Sequence, residues 1–210
     1  EPVPGQPGKD VVWIPTPPEL VEKMLDMAGV TKDDFVIDLG SGDGRNIIAA
    51  ARRGARALGI EYDRHLLELA RKSALEAGVA ERARFVEGDM FTADISKATV
   101  MALFLLPANL EKLRETFLAL APGTRLVMNT FDIPDWVSDA KETLGEGCVS
   151  WCTAHLYYVP APVEGRWTTS RGDLTLRQAF QMVAGTLTIN GVATTVSGRL
   201  RGTELTLEAD

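Results

Sequence analysis

Residues 36–45 read Val36-Ile37-Asp38-Leu39-Gly40-Ser41-Gly42-Asp43-Gly44-Arg45. An apolar run closing on Asp38 has the texture of a parallel strand buried on both faces. The glycines at 40, 42 and 44 make a loop without Cβ atoms, which a ligand can approach closely. Ile47, Ile48, Ala50 and Ala51 then carry an apolar helix whose N-terminal N–H groups face the same spot. A second short apolar strand, Ala57 to Ile60, ends at Glu61, an acid suited to gripping a ribose diol. Strand, glycine loop, helix, strand and acid together describe a nucleotide-type cofactor site in an α/β sheet.

The dinucleotide fingerprint is G-x-G-x-x-G. Here the spacing is G-x-G-x-G, and Arg45 stands where the third glycine would fall. That argues against NAD or FAD, whose third glycine allows close helix–strand packing. Asp38 and Asp43 would also meet a pyrophosphate with like charge in a partly desolvated site. They suit a ligand with a cationic ammonium group. S-adenosylmethionine (SAM) carries one, together with a sulfonium, a ribose and an adenine. The run D-L-G-S-G-D-G resembles motif I of class I SAM-dependent methyltransferases. The expected cofactor is therefore SAM, with S-adenosylhomocysteine (SAH) as product. Asp38, Gly40, Ser41, Gly42, Asp43, Gly44, Glu61 and Tyr62 are its expected contacts.

Two further strand ends agree. Phe85-Val86-Glu87-Gly88-Asp89-Met90-Phe91 reads as a strand closing on Gly-Asp. The resemblance implies that Asp89 meets the adenine amino group and that Met90 lies against the ring. Thr99 to Leu106 reads as a fourth buried strand running into Pro107, with Phe104 near its end as a further cofactor contact. Strand ends at 38, 61, 89 and 106 would share one edge, where open α/β sheets bind ligands.

Composition narrows the function classes. The 210 residues are 45% hydrophobic, enough for one full core plus an appendage. The formal charge of −7 gives no general field for phosphate backbones, so nucleic acid is not an expected partner. No apolar run approaches the roughly 20 residues of a membrane span. His65 and His155 make no ligand spacing, and no metal is expected. Cys148 and Cys152, read as positions along a strand, lie too far apart for an easy bridge and are expected as free thiols. The chain opens at Glu1 with a segment rich in Pro and Gly, expected as a flexible tail over residues 1–10. The need for SAM favours the cytoplasm, and the processed-looking opening leaves export open.

Thr16-Pro17-Pro18-Glu19 predicts a helix start with Thr16 as cap, followed by a face of Leu20, Val21, Met24, Leu25 and Ala28. Helices are expected over 45–53, 64–78 and 108–120. Gly123 to Phe131 reads as a fifth strand, and 148–159 as part of a closing antiparallel pair. Strand and helix in alternation predict a doubly wound, Rossmann-like sheet, mostly parallel with one antiparallel strand, over residues 11–160. After Pro160-Ala161-Pro162 the pattern becomes alternating, and Asn190-Gly191 between such runs is a hairpin signal. Residues 163–210 are expected as a small antiparallel β appendage, for packing, dimerisation or substrate docking.

The pieces W-I-P-T-P-P-E-L-V, D-L-G-S-G-D-G-R, G-I-E-Y, A-T-V-M-A-L-F-L-L-P and P-G-T-R-L-V-M-N-T-F together resemble one methyltransferase family. It includes an archaeal broad-specificity protein lysine methyltransferase and mitochondrial enzymes acting on the ATP synthase c-subunit and the adenine nucleotide carrier. The resemblance runs from Trp13 to Val159. It implies methyl transfer to a protein lysine, although Asn129-Thr130-Phe131 departs from the archaeal pattern at that strand end. On the acceptor side, Trp13, Phe104 and Asn129 are the catalytic candidates, with Phe131 and Trp136 beside them. Asn129 is read as orienting an amine through its carbonyl oxygen. Phe104-Leu105-Leu106-Pro107 stands where an Asn-Pro-Pro-Tyr-like run would mark methylation of a nucleobase amine. Two other readings stay open: methylation of a small molecule or lipid in a pocket walled by Trp13, Leu105 and Trp136, and a non-catalytic SAM-binding module.

Overall fold

The computed structural model describes residues 13–209; the tail expected over residues 1–10 lies outside them. The chain divides into two compact units. One comprises residues up to Leu120 with Arg125–Tyr157, the other Ala121–Thr124 with the residues from Tyr158 onward.

The first unit runs α1 (Pro18–Met27), β1 (Phe35–Leu39), α2 (Arg45–Arg52), β2 (Arg56–Glu61), α3 (Arg64–Glu76), β3 (Ala83–Glu87), β4 (Val100–Leu103), α4 (Pro107–Leu118), β5 (Arg125–Asn129), β6 (Ala140–Thr143) and, up to its last residue, β7 (Thr153–Tyr158). The sheet order is β3-β2-β1-β4-β5-β7-β6. β1 pairs in parallel with β2 and β4, β2 with β3, and β4 with β5. β7 runs antiparallel to β6. This is the mostly parallel Rossmann-like sheet that the sequence predicts.

Local chemistry sets the element ends. Val36, Ile37 and Leu39 of β1 are fully buried, as a strand covered on both faces requires. α1 buries Leu20, Val21, Met24 and Leu25, each contributing about 1.5–3 kcal/mol. Its start differs from expectation: the flanking residue is Pro17, with no side-chain cap. Thr16 instead accepts a hydrogen bond from Asn129 Nδ2 at 3.1 Å, and the two prolines preset the backbone for the helix. β4 stops at Leu103, earlier than predicted. Leu106 precedes a proline and takes the extended conformation that position favours, so Phe104–Leu106 leave the ladder.

Asp34, just before β1, gathers the starts of several elements. It accepts from Thr99 Oγ1 at 2.7 Å and from the Thr31 N–H at 2.8 Å. It also pairs with Arg125, whose guanidinium reaches the Ala28 carbonyl at 2.7 Å.

Cys148 and Cys152 form a disulfide, which corrects the expectation of free thiols. These residues follow β6 in a loop, not a strand. Gly147 at φ 105° and Trp151 at φ 60° turn the chain back on itself. The two Cα atoms come to 5.9 Å, inside the range a bridge spans.

The second unit contains β8 (Gly165–Thr169), β9 (Gly172–Ala179), β10 (Met182–Ile189), β11 (Val192–Arg201) and β12 (Glu204–Ala209) in the order β12-β11-β10-β9-β8. One face carries a small core of Leu174, Leu176, Val183, Val196 and Leu200. Asn190 and Gly191 join the paired Ile189 and Val192 with φ of 49° and 80°. Positive φ at both central residues is the hairpin turn that Asn-Gly favours. Gly191→Val is therefore expected to lower stability by about 1–2 kcal/mol in chemical denaturation. Gly191→Asn, which tolerates this conformation, should lose less.

Candidate active site

The chain leaves β1 for β2 on one side and reaches β4 on the other. The crevice of the sheet therefore opens at the carboxyl ends of β1 and β4. A cleft of about 800 Å³ lies there. Its wall takes Asp38 from β1, Gly40–Asp43 from the loop, Glu61 and Tyr62 from the end of β2, and Gly88–Phe91 after β3. Phe104–Leu106 after β4, Phe131 after β5, Trp13–Thr16 and Trp151 also line it, with Arg45 and Asn46 at the start of α2.

The glycine loop offers shape more than donors. The N–H groups of Gly40 and Ser41 both donate to the Ile60 carbonyl, at 2.8 and 3.1 Å. The Gly42 N–H donates to Glu61 Oε2 at 2.8 Å, and the Gly44 N–H to the Ser41 carbonyl at 2.9 Å. Gly42 has φ +55°, and a Cβ there would sit 2.5 Å from the Trp13 indole nitrogen. Trp13 thus lies directly on the loop. Gly44 has a different task from the one expected. It is absent from the cleft wall, and a Cβ on it would meet the Phe85 ring at 2.6 Å. It supplies the close helix–strand packing that a third glycine gives in dinucleotide folds.

Asp38 is buried to 3% exposure. Its Oδ2 accepts from Asn46 Nδ2 at 3.0 Å, while Oδ1 is buried with no hydrogen-bond partner. Burial pushes this carboxyl well above the usual carboxylate range, against the Asn46 hydrogen bond, and the charges of Glu61 and Asp43 push the same way. A cationic donor would satisfy Oδ1 and reverse the shift. Glu61, 8% exposed, holds the Gly42 N–H with Oε2 and accepts from the Asp63 N–H at 2.8 Å with Oε1. Its carboxylate is thereby oriented at the cleft wall. Asp43 is not a free acid beside the loop: Arg45 pairs with it at 2.5 Å and also donates to the Thr16 carbonyl at 2.6 Å. That pair ties the segment before α1 to the glycine loop. Asp89 lies exposed at the rim and accepts from the Phe91 N–H at 2.9 Å.

The opposite side of the cleft is aromatic. Phe104 and Trp151 have ring centroids 5.4 Å apart, Phe131 and Trp151 5.8 Å, and Phe104 and Phe131 6.2 Å. Rings this close touch one another, so they form a wall and enclose no void. Two expected residues lie elsewhere. Asn129 is fully buried, outside the cleft wall, with its amide used by Thr16 and its oxygen by Thr130 Oγ1 at 2.8 Å. Trp136 is 1% exposed and packs edge-on against Tyr157 at 5.3 Å, as part of the core.

Comparison with known proteins places this geometry in a family. The family model described as the ANTKMT methyltransferase domain matches residues 38–140. A protein-lysine N-methyltransferase of Saccharolobus islandicus is 42% identical over 152 residues, covering 71% of this chain and 94% of that protein. The chain belongs to the methyltransferase family of that Saccharolobus protein. An adenine nucleotide translocase lysine N-methyltransferase of Mus musculus is 35% identical over 114 residues, and the match spans 49% of its length. A solved structure from Salinibacter ruber, described as an RNA methyltransferase in complex with SAH, is 47% identical with TM-score 0.67. It covers 71% of this chain and 96% of that one.

In this methyltransferase, Thr16, Asn46 and Trp151 are among the cleft-wall residues that the sequence does not single out for the site. Asn46 left a signal, as a polar residue leading the otherwise apolar helix Ile47–Ala51. Trp151 left another, as an aromatic held between two cysteines.

Proposed function

We propose that this methyltransferase uses SAM to methylate the side-chain amine of protein lysine. The observation that carries the cofactor half is Asp38, a buried carboxylate with an orphan oxygen in the wall of the cleft. That atom fits an ammonium group and fits no phosphate. Asp38 would take the amino-acid ammonium of SAM, Glu61 the ribose diol, and Asp89 with Met90 the adenine. SAM supplies an electrophilic methyl on a sulfonium, and its in-line displacement asks the protein mainly for positioning. The acceptor amine must arrive neutral. The wall of Phe104, Phe131 and Trp151 desolvates it and disfavours the ammonium form. Aromatic faces also tolerate a methylated ammonium product.

The names of the Saccharolobus and mouse relatives support lysine as the acceptor. A second reading, RNA, is favoured by the likeness to the Salinibacter RNA methyltransferase. The charge of −7 weighs against it, since an acidic surface gains nothing from phosphate counterion release.

Calorimetry with SAM, SAH and NAD tests the cofactor half: SAM and SAH are expected to bind, and binding of NAD alone would overturn it. Glu61→Ala should weaken SAM binding by about 1–3 kcal/mol, as loss of a hydrogen bond to a charged group does. Unchanged affinity would remove Glu61 from the ribose. Methyl-labelled SAM incubated with cell extract, then partitioned into protein, RNA and organic fractions, tests the acceptor half. Label on protein lysine is expected. Label confined to RNA or to the organic fraction would replace the acceptor, and no label despite SAM binding would mark a non-catalytic module.

A further inference from the structure

The loop of Cys148–Cys152 meets the cleft through one residue, Trp151. Three observations converge on it. Trp151 has φ 60°, an uncommon conformation for a bulky residue, held by its surroundings rather than by its own preference. Its ring touches both Phe104 and Phe131, which come from the ends of two other strands. The disulfide closes immediately after it, at Cys152, whose carbonyl accepts the Leu144 N–H at 2.9 Å and so anchors the far side of the loop. A ring of five residues removes little loop-closure entropy from the unfolded chain compared with a long one. Its effect is local, and what lies local to it is the aromatic wall. The side chains assigned to the cofactor, Asp38, Glu61 and Asp89, stand on the other side of the cleft, at β1, β2 and beyond β3.

We propose that Trp151 is a specificity-determining residue for the acceptor, and that Cys148 and Cys152 are its positioning residues, a thiol-sensitive clasp on that side of the cleft. The inference rests on the acceptor side being where Phe104 and Phe131 place it. When a dithiol reduces the bridge, two electrons pass to the cysteine sulfurs, which leave as two thiols while the reductant becomes a cyclic disulfide. Trp151 is then free to leave its left-handed conformation, and the wall loses one of its three rings. Cofactor binding is untouched, because no cofactor contact passes through the loop.

The test compares the oxidised protein, the same protein reduced with dithiothreitol, and the double variant C148S/C152S. Three quantities are read: SAH affinity by calorimetry, acrylamide quenching of Trp151 (wild type against Trp151→Phe), and KM and kcat for methylation of an oligolysine peptide. Reduction is expected to raise the Trp151 quenching constant at least twofold and the oligolysine KM at least fivefold, with SAH affinity unchanged within twofold. C148S/C152S should match the reduced protein and ignore dithiothreitol. Unchanged Trp151 quenching and KM on reduction would overturn the proposal, as would a parallel loss of SAH affinity, which marks general unfolding. If oligolysine is not methylated even by the oxidised protein, the lysine reading fails by itself, and the quenching arm still decides the clasp.

Discussion

Asp38→Asn is expected to abolish tight SAM binding and at the same time make the free protein more stable. The two effects have one cause. Asp38 is a buried carboxylate whose Oδ1 has no hydrogen-bond partner, and burial with the neighbouring acids drives its pKa up. Such a group stabilises the fold when protonated: its contribution is fully present below the unfolded pKa and is lost as pH rises through the higher folded value. At neutral pH the free protein therefore carries a cost that an ammonium ligand removes. An asparagine carries no charge and keeps the acceptor for Asn46 Nδ2. The variant should melt higher at neutral pH, and the gain should shrink as pH falls. It should lose about 2–5 kcal/mol of SAM affinity, the usual cost of removing one member of a desolvated charge pair. Thermal melts across pH, with and without SAM, read both effects. A variant no more stable than wild type but still binding SAM would contradict the assignment.

The second large effect is on folding. Asp34→Ala should destabilise the protein by about 2–4 kcal/mol, because it strands Arg125 and removes the acceptor for Thr99 and the Thr31 N–H. Burial pushes the Asp34 carboxyl up, but the Thr31 N–H, the Thr99 hydroxyl and Arg125 together more than offset that and leave it low. Its contribution is present above the unfolded pKa and is lost as pH falls through the folded one, the opposite sign to Asp38. Urea denaturation should show the variant's deficit closing as pH drops below the usual carboxylate range. A deficit that does not narrow there would mean that the ionised carboxylate is not what holds these elements.

What the sequence made legible follows from how local each signal is. The strand ending in Asp38, the glycine loop and Glu61 sit within a few residues of one another, and each obeys rules of backbone geometry and charge that need no partner. The hairpin at Asn190-Gly191 was equally readable, because its turn is decided by two residues. Long-range facts were not. Asn129 reads as orienting the acceptor amine through its carbonyl oxygen, but that oxygen accepts from Thr130 Oγ1, and its amide donates to Thr16, 113 positions away. Cys148 and Cys152 read as unbridgeable along a strand, but Gly147 and the left-handed Trp151 turn the chain and bring them together. The sequence singles out Trp136 beside the acceptor and passes over Trp151. Packing sent the first to the core and the second to the cleft.

The most direct measurement is a crystal structure of the protein grown with SAH. The account predicts the ligand in the cleft above residues 40–43, its ammonium within hydrogen-bond distance of Asp38 Oδ1, its ribose diol on Glu61, and its adenine beside Asp89 and Met90. The thioether should face the wall of Phe104, Phe131 and Trp151. SAH bound elsewhere, or bound with its ammonium away from Asp38, would contradict it.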